Sequence, residues 1–148
     1  VHEDTVRKYV EGRAAAADSS DDPCERLGAV MRAGVPPWAN EHVIRVLYEM
    51  HGLARRSEDH AELLSDLWRH EHELYVEIID DGVAKNVFTS TRAVHDVATR
   101  LLALEDGLVL HLIGHNRMLS SDNVVKLFMQ SAASELDCPQ LLTNPAIA

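Results

Sequence analysis

Positive charge is scarce in this sequence and nowhere gathered. Its 148 residues carry 14 lysines and arginines against 24 aspartates and glutamates, a net charge of −10, and only Arg7-Lys8 and Arg55-Arg56 adjoin. A surface that binds nucleic acid needs clustered basic side chains to displace counterions from phosphate, so this stretch is not expected to hold DNA by itself. Cysteine is almost missing: Cys24 and Cys138 form neither a disulfide framework nor a metal-binding spacing, which fits a reducing, cytoplasmic setting. No apolar run reaches the roughly 18 residues of a membrane helix. The longest, Leu101 to Ile113, is interrupted by Glu105, Asp106 and His111. No basic-then-apolar leader is present, and no membrane partner is expected. The chain begins at Val1 and not at methionine, so it is expected to be part of a longer protein.

Catalytic signatures are missing as well. There is no Gly-x-Ser-x-Gly elbow, no glycine loop for phosphate and no dinucleotide fingerprint, so neither an enzyme nor a bound cofactor is indicated. Nine histidines include His111 and His115, four apart, and His70 and His72 around Glu71. Neither His-Glu-x-x-His nor Glu-x-x-His occurs, so no metal site is expected, and these histidines read as solvated or interface groups.

What is present is helix. Hydrophobic residues make up 46% and charged residues 26%, the balance of an ordinary globular chain, and 148 residues suffice for one domain with its own core. Apolar positions recur at three and four and never alternate for long, so the expected class is all-α. Six helices are predicted. The first spans about 3–17 and ends at the Asp-rich turn before Pro23; the second spans about 23–33 and stops at Gly34. A third spans about 38–56, and a fourth opens after Ser57 and runs to about residue 81, with Gly82 as its cap. An irregular stretch over 82–90 precedes a fifth helix over about 91–115. The sixth, over about 120–136, ends at Asp137-Cys-Pro139, and the tail beyond is expected to be ordered only in part.

The fifth and sixth helices are apolar around most of their circumference, which calls for burial on two faces. A second copy of the chain supplies the missing cover, through a four-helix contact about a two-fold axis. Its expected contacts are Leu104, Leu108, His111, Leu112, Val124, Leu127, Phe128 and Ser131. A central position for both helices within one chain is the competing explanation.

The stretch Leu101-Leu-Ala-Leu-Glu-Asp-Gly-Leu-Val-Leu-His-Leu-Ile-Gly114 resembles the penultimate helix of TetR-family C-terminal domains. The helix ending in Leu53-Ala-Arg-Arg56, the segment Leu67-Trp-Arg69, and Ile79-Asp-Asp-Gly-Val-Ala-Lys-Asn-Val-Phe88 follow the family's order, so the likeness covers roughly residues 38–136. Asn86 stands where the family usually has glycine before the aromatic, and asparagine tolerates the left-handed backbone that such a turn needs. The family's N-terminal helix-turn-helix is not in this sequence. The resemblance implies a TetR-type helical domain that dimerises through a four-helix bundle and binds an effector. Operator DNA would be a partner only through the missing N-terminal half.

Family members hold a small molecule between their middle helices and the penultimate one. The corresponding residues here are Met31, Trp38, Tyr48, His51, Trp68, His72, Tyr75, Leu102 and Asp106. Trp68, His72 and Tyr75 share one helix face, a spacing that suits the walls of a pocket and a plain core alike. A small, largely apolar effector fits such walls, and its binding is expected to release DNA. The rival readings are a free-standing dimerisation or adaptor module and a small helical enzyme.

Overall fold

A computed structural model describes residues 2–37 and 40–147, and every regular element among them is a helix. α1 spans His2–Ala17, α2 Pro23–Ala33, α3 Glu41–Ala54, α4 Glu58–Ala84, α5 Val94–Ile113 and α6 Ser121–Glu135; a short α7, Gln140–Thr143, adds a seventh. The six expected helices are all present, and their ends follow local chemistry. Asp22 caps α2 by accepting the Glu25 N–H at 3.0 Å, with Pro23 in the first turn. Asn40 caps α3 through the His42 and Val43 N–H groups, which sets the start at Glu41. The expected start at Trp38 lies outside the described residues. Ser120 caps α6 at the Asn123 N–H. Ser57 marks the start of α4, but its hydroxyl bonds His60 Nδ1 at 2.9 Å rather than a backbone amide.

Two expected boundaries move. α5 begins at Val94, because residues 91 and 92 form a bend stabilised by the Arg92 N–H donating to Ser90 Oγ. α4 continues to Ala84, so Gly82 lies inside the helix and is not its cap. Its carbonyl accepts the N–H groups of Val87 and Phe88, and the Phe88 ring lies where a side chain at residue 82 would have to go. The reversal is completed by Asn86 at φ 57°, the left-handed turn expected of it.

α5 lies between α4 and α6, and α2 packs on α1, α4, α6 and α7. The main core joins Leu27, Val30 and Met31 of α2 to Tyr75, Ile78 and Ile79 of α4, Leu101 and Leu102 of α5 and Phe128 of α6. A smaller cluster of Val6, Leu47, Met50 and Leu67 ties α1 to α3 and α4. The tail is better placed than its sequence suggested. Leu141 and Ile147 are buried, and Ile147 covers Gly28, where any side chain would collide with it.

Burial also redraws the outer face. Val124 and Phe128, expected at an interface, are 0% and 1% exposed because they point into the chain's own core. Leu127 and Leu110 point outward at 45% and 52% exposure, with Leu104, Leu108 and Leu112 partly covered beside them. His111 is exposed and Ser131 half-buried. α5 is thus central within one chain, which accounts for much of its apolar circumference, while a leucine stripe stays uncovered.

Candidate functional site

α1, α3, α4 and α5 converge on a narrow pocket that opens to the surface beside Trp68. Its apolar walls come from Ile44 and Leu47 of α3 and Leu64, Leu67 and Trp68 of α4; Tyr9 of α1 closes one side. Glu71, Glu105 and Asp106 supply a carboxyl-rich floor. Its space is about 40 Å³. That holds a water molecule or so, whereas pockets for organic ligands run to several hundred cubic ångströms, so the pocket is narrow, and Trp68, 42% exposed, leaves its outer side open.

Beneath it lies a buried charge network. Arg13 of α1 donates from Nη1 to Glu105 Oε1 at 2.7 Å and from Nη2 to Glu105 Oε2 at 3.2 Å. It also donates to the hydroxyls of Tyr9 and Tyr75, each at 3.2 Å, while Tyr75 donates to Glu105 Oε2 at 2.8 Å. Arg13 is 2% and Glu105 3% exposed. Charges this deep persist only when paired and hydrogen-bonded, and here a forked guanidinium meets a carboxylate with a tyrosine on each side. Gly34 makes room for the pair: a methyl group there would overlap Arg13 Nη1 and stand 2.5 Å from Glu105 Oε1.

One arginine does not serve three carboxyls. Glu71 lies 3.8 Å from Arg13 Nη2, and its pKa is pushed up to about 7, first by burial and then by the nearby Glu105, with Arg13 pulling the other way. Asp106 is raised to about 6 by burial and by Glu105. Burial opposes the charge of Arg13, yet Glu105 and the neighbouring oxygens hold its pKa above the ordinary value. Burial raises the phenols of Tyr9 and Tyr75, and also that of Tyr48, so they remain donors. Tyr48 donates to the Asp106 carbonyl at 3.0 Å.

Of the nine residues expected around a ligand, the pocket unites Tyr48, His51, Trp68 and Asp106. Trp38 is outside the described residues. Met31 and Leu102 are core residues, and Tyr75 sits wholly buried in the network. His72 turns away toward the start of α5: it stacks between Trp68 and His95, with Nε2 3.1 Å from the His95 carbonyl. The shared face of Trp68, His72 and Tyr75 therefore divides among a pocket wall, a surface stack and a buried donor. Tyr9, Arg13, Glu71 and Glu105 were not anticipated as site residues. Their signal was charge among apolar neighbours: Glu105, beside Asp106, in a leucine-rich helix, and Arg13 before four alanines.

The histidine spacings have other partners. His70 Nδ1 lies 2.7 Å from the Asp66 carbonyl, and His111 Nδ1 is 3.3 Å from Asn116. Among the described residues no three metal-ligating side chains gather, and no helix is long and apolar enough to cross a membrane. Cys24 and Cys138, far apart in sequence, meet with their sulfurs 3.5 Å apart as free thiols.

A narrow pocket over a buried ion pair, set in an all-helical frame, suits a regulatory domain of the TetR C-terminal class. The family model for BetI-type transcriptional repressor C-terminal domains matches residues 23–137, and the chain belongs to that family. The match takes in α2 to α6 and leaves α1 outside. No curated protein and no solved structure matches the chain.

Proposed function

We propose that this chain is the effector-binding and dimerisation domain of a TetR-like transcriptional repressor, and that a small molecule entering the α1–α3–α4–α5 pocket releases DNA. The observation that carries this reading is the pocket itself, where aromatic and aliphatic walls stand over three carboxyls matched by a single arginine. The effector is largely apolar, and the floor selects a basic nitrogen on it, because a cation there gains both carboxylate and aromatic-face contacts. Release requires that the ligand bind the DNA-free geometry more tightly than the DNA-bound one. The small volume supports such a difference, since an occupied pocket must be a wider one.

Dimerisation uses the uncovered stripe of Leu104, Leu108, Leu112 and Leu127, with Leu110, His111 and Ser131 at its side. Contact across a two-fold axis would bury these leucines.

Trp68 fluorescence tests the effector class, with Trp38→Phe as the background that isolates it. Benzylamine, toluene and benzoate share one apolar body and differ in charge. The amine is expected to bind most tightly and the carboxylate least. Equal binding of all three, or preference for benzoate, would remove the basic-nitrogen reading.

A further inference from the structure

We propose that Arg13 is a tethered occupant of the effector site: its guanidinium fills the pocket's demand for a cation in the narrow state, and an entering cation displaces it and unseats α1. This rests on the pocket reading above and adds to it how the site is regulated. Three observations carry it.

Arg13 stands between two spaces. On its inner side, behind its partners Tyr9 and Glu105, is the narrow pocket of about 40 Å³; on its outer side is an open groove of about 240 Å³ between α1 and α4, which Arg13 itself lines with Val10, Ala14, Glu71 and Leu74. Glu71 lines both, so a swing of the Arg13 side chain would join them into one cavity of ligand size.

The seat is also imperfect. Both terminal nitrogens of Arg13 are bonded, but its Nε is buried with no hydrogen-bond partner among the described residues. An unpaired buried donor is a standing cost that leaving the pocket would relieve. The groove offers a destination, since Glu73 and Glu77 line it, both exposed to solvent.

Finally, α1 depends on this anchor. Along its middle, the Arg13 network ties it to α4 and α5, and nearer its ends His2 meets His60 and the Ala17 carbonyl accepts from Arg26. A cation that takes Glu105 and Glu71 from Arg13 therefore loosens the helix that closes the pocket, and occupancy and a seated α1 exclude one another.

The test is competition, with methylguanidinium as the probe. Arg13→Ala leaves a guanidinium-shaped space beside Glu105. Amide exchange in α1 is expected to become about tenfold faster while α5 and α6 keep their protection. Millimolar methylguanidinium should reproduce that acceleration in the parent, by taking Glu105 and Glu71 from Arg13, and add nothing to the exchange of the variant. If α1 is equally protected with and without Arg13, or if methylguanidinium leaves α1 exchange in the parent unchanged, the proposal is overturned. Should Arg13→Ala fail to fold, Arg13→Lys keeps the charge but not the fork, and must show faster exchange confined to α1; unchanged exchange there would equally overturn it. None of these outcomes depends on benzylamine binding, so failure of the effector-class reading and failure of this one are told apart.

Discussion

Arg13 and Glu105 meet fork to fork in the interior, 2.7 and 3.2 Å between their paired nitrogens and oxygens, although 92 positions separate them in the chain. The contact fixes the first helix to the fifth at a point where water does not reach. Such a pair specifies geometry more than it adds stability, because each ion loses its hydration on burial.

Removing one partner leaves the other stranded. Glu105→Leu is expected to lower the unfolding free energy by about 3–5 kcal/mol, as an uncompensated buried charge does. Arg13→Met combined with Glu105→Leu should recover most of that loss. Urea denaturation of the single and double variants measures both, and additive losses would contradict the pairing.

Stability should rise on mild acidification. Glu71 has a folded pKa of about 7 against an ordinary 4.5, so the folded state binds more protons than the unfolded state between these values. Its contribution is fully present below about pH 4.5 and is lost as pH climbs through 7; Asp106, raised to about 6, acts in the same sense. Melting temperature recorded from pH 5 to 8 should fall with rising pH, and Glu71→Gln should flatten the slope. An unchanged slope in the variant would mean that Glu71 does not titrate there.

Phe128 and Leu127 are neighbours with opposite fates. Leu127→Asp, at an exposed site, is expected to leave the subunit folded and convert dimer to monomer in sedimentation. Phe128→Asp should instead unfold the chain, with loss of helical circular dichroism, because it places a charge in the core. A Leu127→Asp protein that sediments at the parent mass would place the interface elsewhere.

By itself the chain should not retain duplex DNA at physiological salt, since a net charge of −10 repels phosphate. A gel shift with random duplex checks this. Tight, salt-sensitive binding would reveal a basic surface that the sequence does not suggest.

The helices were legible because capping and periodicity are local. Asp22, Ser120 and Asn86 act on backbone within three residues of themselves, and a sequence displays such relations directly. Gly82 misled because its partner, Phe88, sits across a turn, where the need for a small residue is indistinguishable from the need for a cap. Two thirds of the pocket's lining was hidden for a related reason. Periodicity says which face of a helix is apolar but not which charges on different helices share one cavity. Arg13 and Glu105 each look like a flaw in an apolar face until they are brought together. Likewise, apolarity on two faces of α6 marked Val124 and Phe128 for burial without saying against which chain.

α2 has only 11 residues, yet it packs on α1 and α4 and also on α6 and α7. During synthesis the chain emerges from its N-terminus, so Leu27, Val30 and Met31 leave the ribosome long before Val125, Leu141 and Ile147 exist to cover them. At translation rates of about 5–20 residues per second, that interval lasts several seconds or more. The nascent protein thus carries a greasy helix with its cover still unmade, a natural handhold for chaperones and a weak point when translation is slow.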